Sequence, residues 1–277
     1  MKQKDRQKKL SSAEGFEQYY SNLFGARWQN IKSAFANESD YVEWKAGGEM
    51  SYFLDSASVR AAVSLPLYGA KSILDMCASP GGKTLVLASN MDGDAKLLAN
   101  ERSIDRKKRL DRTIQTCLPP EIQERVKTSC KDGAKLCLES ENQNSFDRIL
   151  LDAPCSSERH VLADPKYLAE WSPSRIKTLS VAQWSLLSSA WRMLCPGGFL
   201  LYSTCALSPD ENDSVVAKLL KKFDDVEIRE PKISLEYKKF TRQNLPEYEK
   251  TEFGAHILPD VSGNAGPLYF SLLYKNH

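Results

Sequence analysis

Cys155 in LLDAPCSSERH and Cys205 in FLLYSTCALSPDENDSVV each stand at the end of a short apolar run, where a strand meets a loop. A thiol at such a junction can serve as a nucleophile once it has lost its proton. The turn ILDMCASPGGKT offers a second kind of chemistry. Asp75 ends an apolar run, Ala78-Ser79-Pro80-Gly81-Gly82 makes a tight loop, and Lys83-Thr84 open a helix. Glycines in such a loop let backbone amides approach a ligand closely, and the start of the helix favours a carboxylate. The spacing matches neither G-x-x-x-x-G-K-[ST] nor G-x-G-x-x-G. A ligand with a carboxylate, ribose and adenine suits it better than a triphosphate.

Acids recur where that ligand would need them. Glu101 ends the next predicted strand about 20 residues after the loop, the place where an acid can bind ribose hydroxyls. Asp132-Gly133 follows the third strand and Asp152 the fourth, so the three acids would line one crevice; each taken alone reads as a helix cap. The thiols fit one reaction in particular. Carbon 5 of cytosine is a poor nucleophile, and a thiolate adding at carbon 6 generates the carbanion that can attack a methyl sulfonium. A base must then remove the carbon-5 proton so that the thiol can leave. Cys205 and Asp152 supply the thiol and a group for the pyrimidine edge, with Cys155 three residues beyond Asp152. Cys77, Cys117, Cys130, Cys137 and Cys195 read as small apolar residues.

These groups need a frame to hold them. From Ser72 onward, short apolar runs alternate with longer periodic ones, the pattern of a parallel sheet with crossover helices. Strands are predicted over 72–76, 96–100, 125–129, 147–153, 198–204, 225–229 and 267–274, giving a doubly wound, mostly parallel seven-stranded α/β sheet. Helices are predicted over 83–91, 105–117 and 174–194, the last stopped by Pro196-Gly197-Gly198. Ahead of the sheet, Phe16, Tyr19, Tyr20 and Leu23 share a helical face, and Trp28, Ile31 and Phe35 form another after Gly25. The division expected is a basic tail over 1–12, a helical extension over 13–60 and a catalytic domain over 61–277.

Composition narrows the classes of partner. Lys and Arg number 38 against 36 Asp and Glu, a net charge of +2, so any nucleic-acid surface must be local. The densest basic run is Arg102, Arg106, Lys107, Lys108, Arg109 and Arg112, which reads equally well as a solvated helix face. No apolar run is long enough to span a membrane, and seven scattered cysteines with three histidines suggest neither a disulfide framework nor a metal site.

DMCASPGGKT, DAPCSSERH and YSTCALSPDEND together resemble the cofactor, Pro-Cys and Thr-Cys motifs of the Sun-domain RNA cytosine-5 methyltransferases, a likeness spanning roughly residues 13–275. That resemblance implies a Rossmann-like class I methyltransferase using S-adenosyl-L-methionine on RNA, with ribosomal RNA the expected substrate. It implies that Gly81, Gly82 and Lys83 hold the cofactor, Glu101 its ribose, and Asp132 with Gly133 its adenine. Arg106 would support that pocket, and Asp152 would lie between cofactor and target base. Cys205 would be the nucleophile, with Cys155 assisting release of the covalent adduct. Glu101 stands where the family usually has aspartate, and Ser79 where alanine is more common. The FEQYYSNLFGARWQNI stretch, Arg159-His160 and the closing GPLYFSLLY are similar to the branch acting on mitochondrial small-subunit ribosomal RNA. The implied address is the mitochondrial matrix, against a cytoplasmic or nuclear one, and the implied partner is a helical protein of the mitochondrial transcription-termination type. A role in ribosome assembly goes with that branch. Rival readings are a cytosine methyltransferase of tRNA or of DNA, the DNA-type mechanism being the one in which Cys155 would form the adduct, a small-molecule methyltransferase, and a non-catalytic assembly factor.

Overall fold

The computed structural model describes residues 12–233 and 245–277. The expected basic tail therefore lies outside the described residues except for Ser12, which opens the first helix. Helices α1 (Ser12–Phe24) and α2 (Trp28–Phe35) are joined by a tight turn at Gly25, whose φ of +57° favours glycine. They bury Phe16, Tyr20, Trp28 and Ile31, as the periodicity requires. The next segment departs from the expected helical extension. Strands β1 (Tyr41–Trp44) and β2 (Tyr52–Asp55) form an antiparallel hairpin, followed by α3 (Ser56–Ala62), which Asp55 caps by accepting from Ala57 N at 2.8 Å.

The sheet begins with β3 (Ser72–Asp75) and continues through α4 (Gly82–Ala88), β4 (Lys96–Asn100), α5 (Ile104–Cys117), α6 (Pro120–Gln123) and β5 (Val126–Ser129). Then come β6 (Phe146–Asp152), α7 (Glu158–Ala163), α8 (Pro165–Glu170), α9 (Pro173–Met193) and β7 (Leu194–Thr204). The chain closes with α10 (Asp213–Lys222), β8 (Val226–Arg229), β9 (Glu249–Lys250), β10 (Ala255–Ile257) and β11 (Leu268–Lys275). Strands β5, β4, β3, β6 and β7 lie side by side and parallel, and β11 joins β7 antiparallel. All seven predicted strands are present, but among the described residues the sheet has nine. Half of the β11 edge pairs with β8, through Leu272–Lys275, and the other half with β10, which itself pairs with β9.

Successive residues of β3 point to opposite faces, Ile73 into a core with α3, α4 and α5, and Leu74 into one with α9 and α10. Both faces are thus covered, as a parallel sheet requires. Pro196-Gly197-Gly198 does not separate helix from strand: α9 ends at Met193, and β7 already includes the three residues. Pairing of Leu194 with Phe146 starts the ladder early, and the chain absorbs the irregularity as a register shift between Phe146 and Arg148.

Candidate active site

The C-terminal ends of the parallel strands carry the site. After β3 the chain turns through Ala78–Gly82, and Gly81 has φ +116°, a conformation that other residues rarely adopt. A Cβ there would also meet Thr113 Cγ2 at 2.9 Å. The turn is held from α5: Arg106 donates to Ser79 O at 2.7 Å, and Ser79 Oγ returns a bond to Arg106 O at 2.8 Å. Asp75 is buried below the turn. Its Oδ2 accepts from Thr84 Oγ1 at 2.7 Å, while Oδ1 has no partner. Burial pushes the Asp75 carboxyl up to about 7, with the Asp152 and Glu101 charges adding and the Thr84 bond and Lys83 opposing. A cavity of about 190 Å³ opens here, lined by Asp75, Ala78, Gly82, Lys83, Asp152 and Tyr52 among others.

Glu101 and Asp132 occupy the predicted strand ends, yet their side chains are engaged locally. Glu101 accepts from Ser103 N at 2.9 Å and lies 3.5 Å from Arg106, and Asp132 accepts from Ala134 N at 3.2 Å. Gly133 is buried, and its carbonyl accepts from Ser189 Oγ at 2.8 Å. These three residues and Arg106 lie outside the lining of the Asp75 cavity, whereas Gly82, Lys83 and Asp152 are part of it.

Lys83 and Asp152, together with Tyr41 and Ser58, form the partition between two spaces. Lys83 Nζ lies 2.8 Å from Asp152 Oδ2 and 3.1 Å from Ser58 Oγ, and Ser203 Oγ donates to Asp152 Oδ1 at 2.8 Å. Burial opposes the Lys83 charge, but the Asp152 carboxylate outweighs it and the ammonium is held above its ordinary pKa. Beyond the partition lies a second cavity of about 480 Å³, lined by Cys205, Asp152, Lys83, Arg159, Tyr41 and Pro267 among others.

The register Asp152↔Ser203 between β6 and β7 puts the two cysteine loops side by side. Cys155 Sγ lies 2.7 Å from Cys205 Sγ, and Cys205 N donates to Cys155 Sγ at 3.2 Å. Cys205 lines the second cavity and Cys155 does not. The hydrogen bond with Cys205, then burial, raises the Cys155 thiol well above its ordinary pKa. Cys155 is thus held toward its protonated form, either sulfur can donate in the contact, and Cys205 is the one that lines the open cavity. Of the cysteines expected to be small apolar residues, Cys117 and Cys137 are buried but Cys130 is exposed. Among the described residues no group of three His, Cys, Asp or Glu is placed to hold a metal ion.

Several contributors are not among the residues that the sequence singles out. Tyr41 and Phe53 of the hairpin are exposed beside the cavities, and Ser203 and Ser58 secure the partition. Glu158 and Glu211 are fully buried beneath the cysteine loops. Both lie within the quoted cysteine motifs, but most of their partners are distant in sequence, so periodicity could not reveal their roles.

Residues 62–271 match the family model described as 16S rRNA methyltransferase RsmB/F. The chain is 32% identical over 234 residues to the 5-cytosine rRNA methyltransferase NSUN4 of Bos taurus, covering 80% of this chain and 59% of that protein. It is 36% identical over 183 residues to the ribosomal RNA small subunit methyltransferase F of Serratia proteamaculans (strain 568), covering 65% and 37% respectively. The chain therefore spans less than two thirds of these relatives' lengths. A methyltransferase homolog protein from Pyrococcus horikoshii, known by crystallography, shares the fold at TM-score 0.69 and 22% identity, over 94% of each chain.

Proposed function

The chain belongs to the RsmB/F family of 16S rRNA methyltransferases, and on that premise we propose that it moves a methyl group from S-adenosyl-L-methionine to carbon 5 of a cytosine in RNA. The observation that carries this reading is the position of Cys205, which lines a cavity that shares Tyr41, Ser58, Lys83 and Asp152 with the adjoining Asp75 cavity. One space suits a cofactor and the other a target base.

The residues present fit the cofactor. The unpartnered Asp75 Oδ1 is an acceptor for a cationic or hydrogen-bonding group, and the Gly81-Gly82 turn brings backbone close to the cavity. Gly81, Gly82 and Lys83 would hold it at the turn. Glu101, with Arg106 bracing the loop, would serve the ribose, and Asp132 and Gly133 the adenine. When bound, S-adenosyl-L-methionine supplies an electrophilic methyl group. Cys205, as its thiolate, would add to carbon 6 of the base and leave again once a base has taken the carbon-5 proton, with Asp152 binding the polar edge and Lys83 holding Asp152 in place. When the adduct resolves, Cys155 S–H at 2.7 Å is positioned to hydrogen-bond the departing Cys205 sulfur.

Small-subunit ribosomal RNA is the proposed substrate, supported by the names of the matched family and of the relative from Serratia proteamaculans. A mitochondrial site of action, a part in ribosome assembly and a helical partner of the transcription-termination type rest on the resemblance of the α1–α2 segment and of Arg159-His160 to that branch. The test incubates labelled S-adenosyl-L-methionine and small-subunit ribosomal RNA with wild type, Cys205→Ala and Cys155→Ala. Loss of transfer in Cys205→Ala, with a covalent protein–RNA adduct accumulating in Cys155→Ala, is the expected result. Transfer that survives Cys205→Ala, or an adduct formed through Cys155, overturns the assignment.

A further inference from the structure

Ser156 adjoins Cys155, Glu158 opens α7, and Glu211 lies in the loop between Cys205 and α10. Both glutamates are fully buried. Ser156 Oγ lies 2.5 Å from Glu211 Oε2 and also contacts Glu158 Oε1 at hydrogen-bond range. A hydroxyl carries one hydrogen, so it can satisfy one carboxylate, and the second contact needs a second proton.

The remaining partners show where that proton sits. Glu158 accepts from Tyr20 Oη at 2.5 Å on Oε1 and from Leu207 N at 2.9 Å on Oε2. With the serine hydroxyl it has three donors, the environment of an ionised carboxylate. Glu211 Oε1 accepts from Ser156 N and from Gln183 Nε2, each at 2.9 Å, and Oε2 meets only Ser156 Oγ. Oε2 is the atom with room for a hydrogen.

We propose that Glu211 is the protonated end of a buried relay, Glu211 Oε2–H to Ser156 Oγ–H to Glu158 carboxylate, and that this one proton locks the Cys155 loop against the Cys205 loop. The three are positioning residues. The relay also reaches α1 through Tyr20, so the N-terminal helix is tied to the cysteine loops by the same chain of bonds.

The electrostatics agree. Burial raises the Glu211 carboxyl to about 7, the Glu158 charge adds to it, and the bonds from Ser156 and Gln183 oppose it. The titratable groups facing the pair are Tyr19 and Tyr20 of α1, Cys155 of its loop and Tyr202 of β7, whose hydroxyl donates to Glu211 O at 2.6 Å. Each of these is held toward its protonated form, so none offers Glu211 a compensating charge. Above about pH 7 two buried carboxylates would share one hydroxyl hydrogen, and the lock would loosen.

The consequence for methyl transfer rests on the reading above, but the test needs neither RNA nor cofactor, so its failure leaves that reading standing. Denaturant unfolding is followed from pH 5 to 8 for wild type, Glu211→Gln and Glu158→Gln. A carboxyl raised from 4.5 to about 7 on folding binds its proton more tightly in the native state. The wild-type folding constant should therefore fall about 100-fold over that range relative to Glu211→Gln, whose amide keeps donating to Ser156. Glu158→Gln should be weakened at every pH. Over the same range, the ratio of Cys205 to Cys155 alkylation, read by mass spectrometry, should shift in wild type and stay level in Glu211→Gln. Parallel stability profiles, or a ratio that behaves alike in both, overturn the proposal. If Glu211→Gln does not fold, carboxyl NMR of glutamate-labelled wild type reads the proton directly. One resonance with a midpoint near 7 supports the relay, and titration of every glutamate below about 5 refutes it.

Discussion

Asp75 and Gly81 show how single residues set the terms for the cavity proposed to hold the cofactor. Folding raises the Asp75 carboxyl from 3.8 to about 7 because it is buried, so the native state binds the proton more tightly than the unfolded chain. Its contribution to stability is complete below about pH 3.8 and is lost as pH rises through about 7. A cationic cofactor reverses the preference, since it favours the ionised acid. Affinity for S-adenosyl-L-methionine should therefore rise from pH 6 to 8 in wild type and be weak and flat in Asp75→Asn, as measured by calorimetric titration. At Gly81 a side chain must adopt φ +116° and displace Thr113. Gly81→Ala should cost about 1–3 kcal/mol in denaturant unfolding and weaken cofactor binding at least tenfold. Neither effect is visible from DMCASPGGKT alone, which identifies a tight turn but not the unpartnered oxygen below it.

Elements decide which of these residues meet. The cysteine pair exists because β6 and β7 are parallel neighbours in the register Asp152↔Ser203, and both strands were legible as apolar runs ending in Asp-Ala-Pro-Cys and Ser-Thr-Cys. The hairpin was not legible, because Tyr41 and Phe53 are apolar yet exposed, so its pattern does not follow a buried face. The early start of β7 reflects ladder pairing overriding the Pro-Gly-Gly signal, a tertiary preference that local sequence does not carry. Glu101 and Asp132 were found at the right strand ends, but local backbone donors engage both side chains. The α1–α2 pair docks through its aromatic face: Phe16 and Tyr20 pack on Trp28 and on Trp171, which follows α8. Trp28 is fully buried, so Trp28→Ala should lower the unfolding free energy by about 3–5 kcal/mol. An unchanged denaturant midpoint would show that the pair adds little to the fold.

For the whole molecule, the charge balance of +2 bears on how the proposed RNA substrate would be held. On the basic face around α5, Arg106, Lys107 and Lys108 are each ion-paired within the chain, to Glu101, Asp111 and Asp105. That leaves Arg102, Arg109 and Arg112 on this face with no ion pair among the described residues, and Arg102, Arg109 and Arg112 are exposed. Arg159, which lines the Cys205 cavity, is committed in part to Asn264 O at 2.8 Å. Three or four cations meeting phosphates would give a shallow dependence of log K on log salt, with a slope of about −2 to −4 depending on whether the RNA is single-stranded or paired. Filter binding of a small-subunit ribosomal RNA fragment across a salt series should return a slope in that range. Charge-swapping Arg109 and Arg112 to Glu should weaken binding and flatten the slope if the α5 face is used. A slope near −8 would require a phosphate-contacting surface larger than this balance of charges supplies, and would move the search for the RNA site away from α5.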